Sequence, residues 1–351
     1  MRVAVLVLLS LLFVPLPTLA QHGAWCACGG HATLPVHFEI DHSATWRWAA
    51  VREFDKWNTY GNLFQWSQGD GSAGINGKNE VIFFTPSQSL DIYGIVMDPE
   101  TYAVTYLNPL SAFGAPPFDA CPPPAGTTCG SFTETDIIIN SAFDHGWQTS
   151  TPHDLETGPA SYGAALLHEV GHTLGLHHNF DNLSAMNDYG DLATIYVSYS
   201  DSRAVRGHYP EAAVTLLDVG TYPFRFTGFQ PHGITVASVA PTTVQAGGTF
   251  TLANFTIENV GSEALDEVEL RIYLSVNEHI TTSDYLVGTL IWSSLSTWWD
   301  TTGRQFNVPA SVPPGTYYVG ALATYHGGTP DAVSYNNYWT LDTSNQLTIV
   351  R

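Results

Sequence analysis

The stretch HEVGHTLGLHH, residues 168–178, packs four histidines and one glutamate into eleven positions. Imidazole nitrogens are metal ligands, and a carboxylate beside them can move protons. On a helix His168 and His172 stand one turn apart on one face, so both rings reach a single ion. Glu169 is offset by about 100° and sits beside that face. Leu167, Val170 and Leu174 line another face and anchor the helix. A third ligand on the same helix would point away, so the chain has to turn. Gly175 tolerates the left-handed conformation that ends a helix, and His178, three residues on, can swing back. Three neutral imidazoles leave the fourth position of a tetrahedral zinc ion to water, the catalytic kind of set. A closed structural site needs a fourth protein ligand, usually with cysteines, and none lies nearby. The spacing from Gly175 selects His178 over His177, which reads as a supporting or exposed neighbour.

The elements that must position this set are legible upstream. In TLPVHFEID (33–41), Val36, Phe38 and Ile40 alternate as in a strand with one buried face. In SATWRWAAVREFDKWNTYG, Trp46, Ala50, Phe54 and Trp57 follow helical spacing, with Ser43 as N-cap and Gly61 as stop. NEVIFF (79–84), YGIVMD (93–98), YAVTYL (102–107) and TDIIIN (135–140) read as short strands. GPASYGAALLHEVGHTLG supplies the helix that carries the ligands. This order predicts an α+β unit, a sheet backed by helices. After about residue 232 the pattern changes. Val268, Leu270, Ile272, Leu274 and Val276 alternate strictly, and TFTLANFTIENVG, GTYYVGALATY and QLTIV are strand-like between turn residues. About seven strands at this spacing predict an immunoglobulin-like β-sandwich.

Composition narrows the setting. The chain has 351 residues and a formal charge of −21, with 44% hydrophobic and 12% charged residues. Such acidity opposes nucleic-acid and anionic-membrane partners, which need Lys and Arg. MRVAVLVLLSLLFVPLPTLA reads as a secretory signal peptide: Arg2, an apolar run Val3–Val14, then small residues before the end of the stretch. No later run is long and apolar enough to span a membrane. In an exported chain the four cysteines, Cys26, Cys28, Cys121 and Cys129, favour disulfides. CPPPAGTTC makes Cys121–Cys129 the preferred pair and leaves a tight Cys26–Cys28 ring. The rival is two bridges pinning the N-terminus to the 121–129 loop. Residues 211–233, with Pro223 and Pro231, read as a linker that packs on one of its neighbours.

Residues 168–178 match H-E-x-x-H-x-x-G-x-x-H, and NLSAMNDYG places Met186 eight residues after His178. By this pattern the chain resembles the metzincin zinc metallopeptidases, nearest in layout to matrixins. The resemblance covers about residues 33–210, including TETDIIINSAFDHGW before the ligand helix and YSDSRAVRGHYP as a closing helix. It implies a metzincin-type catalytic domain (21–210) with a twisted mixed sheet and three helices. It also implies one catalytic zinc on His168, His172 and His178, Glu169 as general base, and Met186 as an apolar floor under the imidazoles. A structural calcium or second zinc is a further implication, with ligands available in FDHGW and HDLE. The family holds its substrate, a protein or peptide, as an added strand along a sheet edge. Here that edge falls within 92–107, and the segment 187–199 walls the specificity pocket. Two positions depart from the pattern. Asn179 stands where matrixins usually have serine. Tyr189 is three residues past the methionine rather than two, so the zinc-assisting tyrosine of astacins and serralysins is not carried over. About a dozen residues separate the signal peptide from the first strand, too few for a prodomain. Cys26 or Cys28 could reach the zinc, but disulfide formation is their expected fate.

APTTVQAGGTFTLANFTIENVGS, LRIYLSVNEHITTSDYLVG, VPPGTYYVGALAT and SYNNYWTL resemble the CARDB family of adhesion-related sandwiches from bacterial exported proteins, over 234–351. Asn277 stands where that family often has aspartate, against metal binding there. The resemblance implies either a stabilising spacer or attachment to a cell-surface or matrix ligand. The expected whole is a secreted zinc endopeptidase. The alternative is an adhesion or glycan-binding protein with an incidental peptidase fold.

Overall fold

The computed structural model describes residues 29–98, 101–108, 130–143, 146–149, 160–178, 184–186, 197–211, 214–226, 234–327, 336–341 and 343–351. It is mostly β-sheet, with four α-helices among the described residues. The cysteines, Asn179, Tyr189, the signal peptide and most of the 187–199 wall lie outside the described residues.

The first unit is built on a five-stranded mixed sheet of β1 (Val36–Ile40), β2 (Phe64–Gln68), β3 (Asn79–Phe84), β4 (Ala103–Asn108) and β5 (Glu134–Asn140), in the order β2-β1-β3-β5-β4. All neighbours are parallel except β4, which runs antiparallel to β5 and is an edge among the described residues. Strand alternation divides the side chains between two layers. Val81, Ile137 and Ile139 join Phe38, Ile40, Phe54, Trp57, Leu167 and Val170 in the main core, under helices α1 (Ala44–Asn58) and α3 (Tyr162–Thr173). Ile82, Phe84 and Ile138 face the other way, onto Tyr93 and Met97 beside helix α2 (Pro86–Tyr93). With both faces covered, β5 is buried along its whole length. Short strands β6 (Trp147–Gln148) and β7 (Ala160–Ser161) pair just before α3. Helix α4 (Tyr199–His208) closes the unit.

Two expectations fail here. YGIVMD is not a strand: Tyr93 ends α2, Gly94 takes a left-handed φ of 71°, and 94–98 has no regular structure. The helix makes four rather than three. Its start is set by Thr85, whose hydroxyl accepts from Gln88 N while the Gln88 side chain accepts from Thr85 N, with Pro86 in the first turn.

The second unit contains β8 (Val219–Tyr222), β9 (Phe224–Phe226), β10 (Ile234–Val236), β11 (Ser238–Ala240), β12 (Thr243–Gln245), β13 (Thr249–Ala253), β14 (Phe255–Asn259), β15 (Val268–Ser275), β16 (Tyr285–Trp292), β17 (Trp298–Thr301), β18 (Arg304–Asn307), β19 (Gly315–Tyr325), β20 (Tyr338–Thr340) and β21 (Leu347–Val350). One sheet runs β12-β21-β19-β15-β16, with β20 also on β19. Against it lie β11-β13-β18 and β17-β14-β8. The chain passes from β13 to β14 through Asn254, whose φ of 57° suits an asparagine. Side chains from both layers share one core, including Phe250, Leu252, Ile257, Leu270, Ile272 and Val319. Val268, Leu270, Ile272 and Leu274 are fully buried as their alternation predicts, whereas Val276 lies past the end of β15 and is exposed.

The stretch 211–233 is more than a linker. Its β8 pairs with β14, so the sandwich begins before residue 234. β14 in turn meets α4. Glu258 Oε1 accepts from Tyr199 N (3.1 Å) and the Tyr222 hydroxyl (2.7 Å). Ser202 Oγ donates to Val260 O (2.8 Å), and Arg206 Nη2 donates to Gly261 O (2.8 Å). Val260 itself belongs to the core of the first unit.

That junction carries a pH dependence. Burial pushes the Glu258 carboxyl up to about 8, against the Tyr222 and Tyr199 donors, which favour the ion. In the unfolded chain the group titrates near its ordinary 4.5. Between those values the folded chain holds the extra proton, so this group's stabilising contribution falls as pH rises through the window. Glu258→Gln should flatten that slope in denaturant unfolding across about pH 5 to 8. Parent and variant with the same slope would contradict it.

Candidate metal centre

Helix α3 starts at Ser161, whose hydroxyl accepts from Ala164 N (3.1 Å). Leu166, Leu167 and Val170 are fully buried and hold the helix on the sheet. The Trp57 indole N–H donates to Leu167 O (3.0 Å), fixing α3 to α1 one residue before His168. The C-terminal turn closes by paired bonds, Leu176 N to Gly171 O (3.1 Å) and Gly175 N to His172 O (2.9 Å). This is the Schellman arrangement, and it needs a left-handed residue. Gly175 supplies it with a φ of 80°.

The turn returns His178 to the helix. Its Nε2 lies 3.1 Å from Nε2 of His172 and 3.1 Å from Nε2 of His168. Among the described residues these three are the His/Cys/Asp/Glu group able to hold a metal ion, their ligand atoms lying within 4.8 Å of one another. Two of the rings are oriented from behind. His168 Nδ1 donates to Ala185 O (2.8 Å), and His172 Nδ1 donates to Leu176 O (2.7 Å). A carbonyl can only accept, so both rings carry the proton on Nδ1 and aim an Nε2 lone pair at the common centre. Burial, then the neighbouring His168 and His178 rings, hold His172 well below the usual imidazole value, in the neutral form that ligates.

His177 is buried rather than exposed, at 3%. The histidine and acidic residues of FDHGW and HDLE lie outside the described residues. Met186 is buried at 1% and packs at Gly171, within the ligand helix. A Cβ added at Gly171 would stand 2.1 Å from Met186 Sδ and 3.1 Å from Trp57 Cζ2. Gly171→Ala should therefore destabilise by roughly 1–3 kcal/mol through overpacking, although alanine is the better helix former. A melting midpoint equal to or above the parent's would contradict this.

Three participants escape the sequence reading. Asp201, the third residue of α4, accepts from Ala185 N (2.7 Å), Ser198 N (2.9 Å), Ser198 Oγ (2.8 Å) and the Ser184 hydroxyl. It thereby pins the segment whose Ala185 carbonyl orients His168. Ser184 Oγ also accepts from Met186 N (3.0 Å). The capping box Ser198-x-x-Asp201 is a local signal for the helix start, but not for the long-range bonds. Thr105, on β4, donates to Glu169 Oε2 at 2.5 Å. Glu169 is 8% exposed, beside the ligand face.

No protein-family model matches the sequence, and comparison with curated proteins gives no match. Solved structures with local likeness include the CARDB domain of a Pyrococcus furiosus protein in complex with di-metal ions. It shares 14% identity at a TM-score of 0.22, over 40% of this chain and 95% of that one. A domain of a candidate cell surface protein from Methanosarcina acetivorans shares 15% at 0.22, over 39% and 95%. The sporulation control protein Spo0M of Bacillus subtilis shares 10% at 0.19, over 39% and 51%. At such TM-scores the functional reading rests on the chain's own residues.

Proposed function

We propose that this chain is a secreted zinc-dependent endopeptidase of metzincin type. The observation that carries the reading is the convergence of three imidazoles, with His178 Nε2 3.1 Å from Nε2 of both His168 and His172, next to a buried glutamate. The donor set fits zinc. A tetrahedral ion with bonds of 2.0–2.1 Å spans nitrogen pairs about 3.3 Å apart, close to the observed spacing, and three protein ligands leave one position open. A zinc ion held by His168, His172 and His178 would lower the pKa of a water toward neutrality and polarise a peptide carbonyl. Glu169 takes the proton of the attacking water and hands it to the leaving amine. Ala185 O and Leu176 O keep two rings in the ligating tautomer. Met186, against Gly171, gives the set an apolar support. Strand β4 ends the sheet among the described residues, and a peptide would add beside it as a further strand.

The sandwich serves first as a stabilising partner, which its contacts with α4 favour. The sequence resemblance to CARDB modules adds attachment to a cell-surface or matrix ligand. No described helix is long and apolar enough to cross a membrane.

The test is cleavage of an unfolded protein by the zinc-loaded chain. Fragments should appear, stop with a chelator and return with added zinc. Absence of cleavage across a complex peptide mixture, from a chain with zinc bound, would overturn the reading.

A further inference from the structure

Thr105 lies within β4, paired with Ile137 of β5. Its hydroxyl reaches across to α3, where Oγ1 is 2.5 Å from Glu169 Oε2 and 3.1 Å from the Glu169 carbonyl oxygen. A hydroxyl has one proton to give. The carboxylate oxygen is nearer, in the range of an O–H bond to a charged acceptor, and the carbonyl takes the smaller share. That carbonyl also stands four residues before Thr173 within α3, where the helical ladder serves it. The short contact therefore belongs to the carboxylate.

We propose that Thr105 is the positioning residue for Glu169. The inference rests on the reading of Glu169 as general base. A glutamate side chain has three rotatable bonds, and proton transfer needs its oxygen within hydrogen-bond reach of the water. The Thr105 hydroxyl fixes Oε2 and, with it, the orientation of the whole carboxylate. It also ties the base to the edge strand along which a peptide would lie, so carboxylate and scissile bond are registered by the same backbone. Threonine meets both demands: β-branching suits the strand, and the hydroxyl supplies the bond.

The test uses the full zinc-loaded chain with Thr105→Val and Thr105→Ser. Valine should cut kcat about 10- to 100-fold, the range for outer partners of metal-site groups, with KM and zinc stoichiometry held. Serine should restore most of kcat. A second readout needs no activity. In the metal-free chain, the melting midpoints of Thr105→Val, Glu169→Ala and the double variant should be non-additive, valine costing less where Glu169 is gone. A valine variant with kcat within twofold of the parent, or additive midpoints, overturns the inference while leaving the metal-site reading intact. Full activity in Glu169→Ala overturns the base assignment itself, and this inference with it.

Discussion

Glu169→Gln should reduce peptide hydrolysis by about 10²- to 10⁴-fold, the usual worth of a positioned general base, while zinc content stays that of the parent. The amide keeps the shape of the side chain and can still accept from the Thr105 hydroxyl, which donates to Oε2 at 2.5 Å. It cannot take a proton from water near neutral pH, so the loss falls on kcat. Glu169 lies beside the ligand face rather than on it, and its replacement removes none of the three converging nitrogens. The check is steady-state kinetics on an unfolded protein or a quenched peptide, beside metal analysis of the same sample. Activity close to the parent's, with zinc bound, would show that another group does the proton transfer.

His178→Ala should have its largest effect on metal retention. Zinc sites bind with apparent free energies of about 10–16 kcal/mol, so one of four positions contributes roughly 3 kcal/mol or more, above 10²-fold in affinity. The variant should lose zinc to a competing chelator that leaves the parent loaded, and hydrolysis should go with it. His177→Gln is the matched control. It alters the adjacent, more deeply buried histidine and should keep one zinc per chain. If His178→Ala retained zinc and His177→Gln lost it, the third ligand would be His177. The glycine bend would then deliver a different ring from the one that stands 3.1 Å from its two partners.

Much of the positioning framework is readable from local patterns. Alternation in 36–40, the helical spacing of Trp46, Ala50, Phe54 and Trp57, and the runs NEVIFF and TDIIIN correspond to β1, α1, β3 and β5. The spacing of His168, His172 and His178 around the Gly175 bend is legible because a helix and its cap are governed by sequence-local geometry, and the three rings converge in the structure. Tyr93 is placed by signals outside its own apolar run. YGIVMD carries an apolar run, yet Tyr93 belongs to a short polar helix whose start signal, Thr85-Pro86 with Gln88, lies upstream. Thr105 and Glu169 are 64 positions apart, and no periodicity links them. Pro223 made 211–233 look like a connection, whereas β8 gains its partner from β14, after a long excursion of the chain. The His177 side chain is buried although its neighbour pattern gave no such signal. In each case the deciding contact depends on tertiary pairing, which a window of ten or fifteen residues does not contain.

The coordination shell of the zinc-loaded chain is the most direct measure of the central claim, and X-ray absorption at the zinc edge reads it. One zinc per chain with three imidazole nitrogens and one oxygen, all at about 2.0–2.1 Å, is the expected result. A shell of four protein ligands, any sulfur ligand, or a chain that binds no zinc at stoichiometric concentration would contradict it.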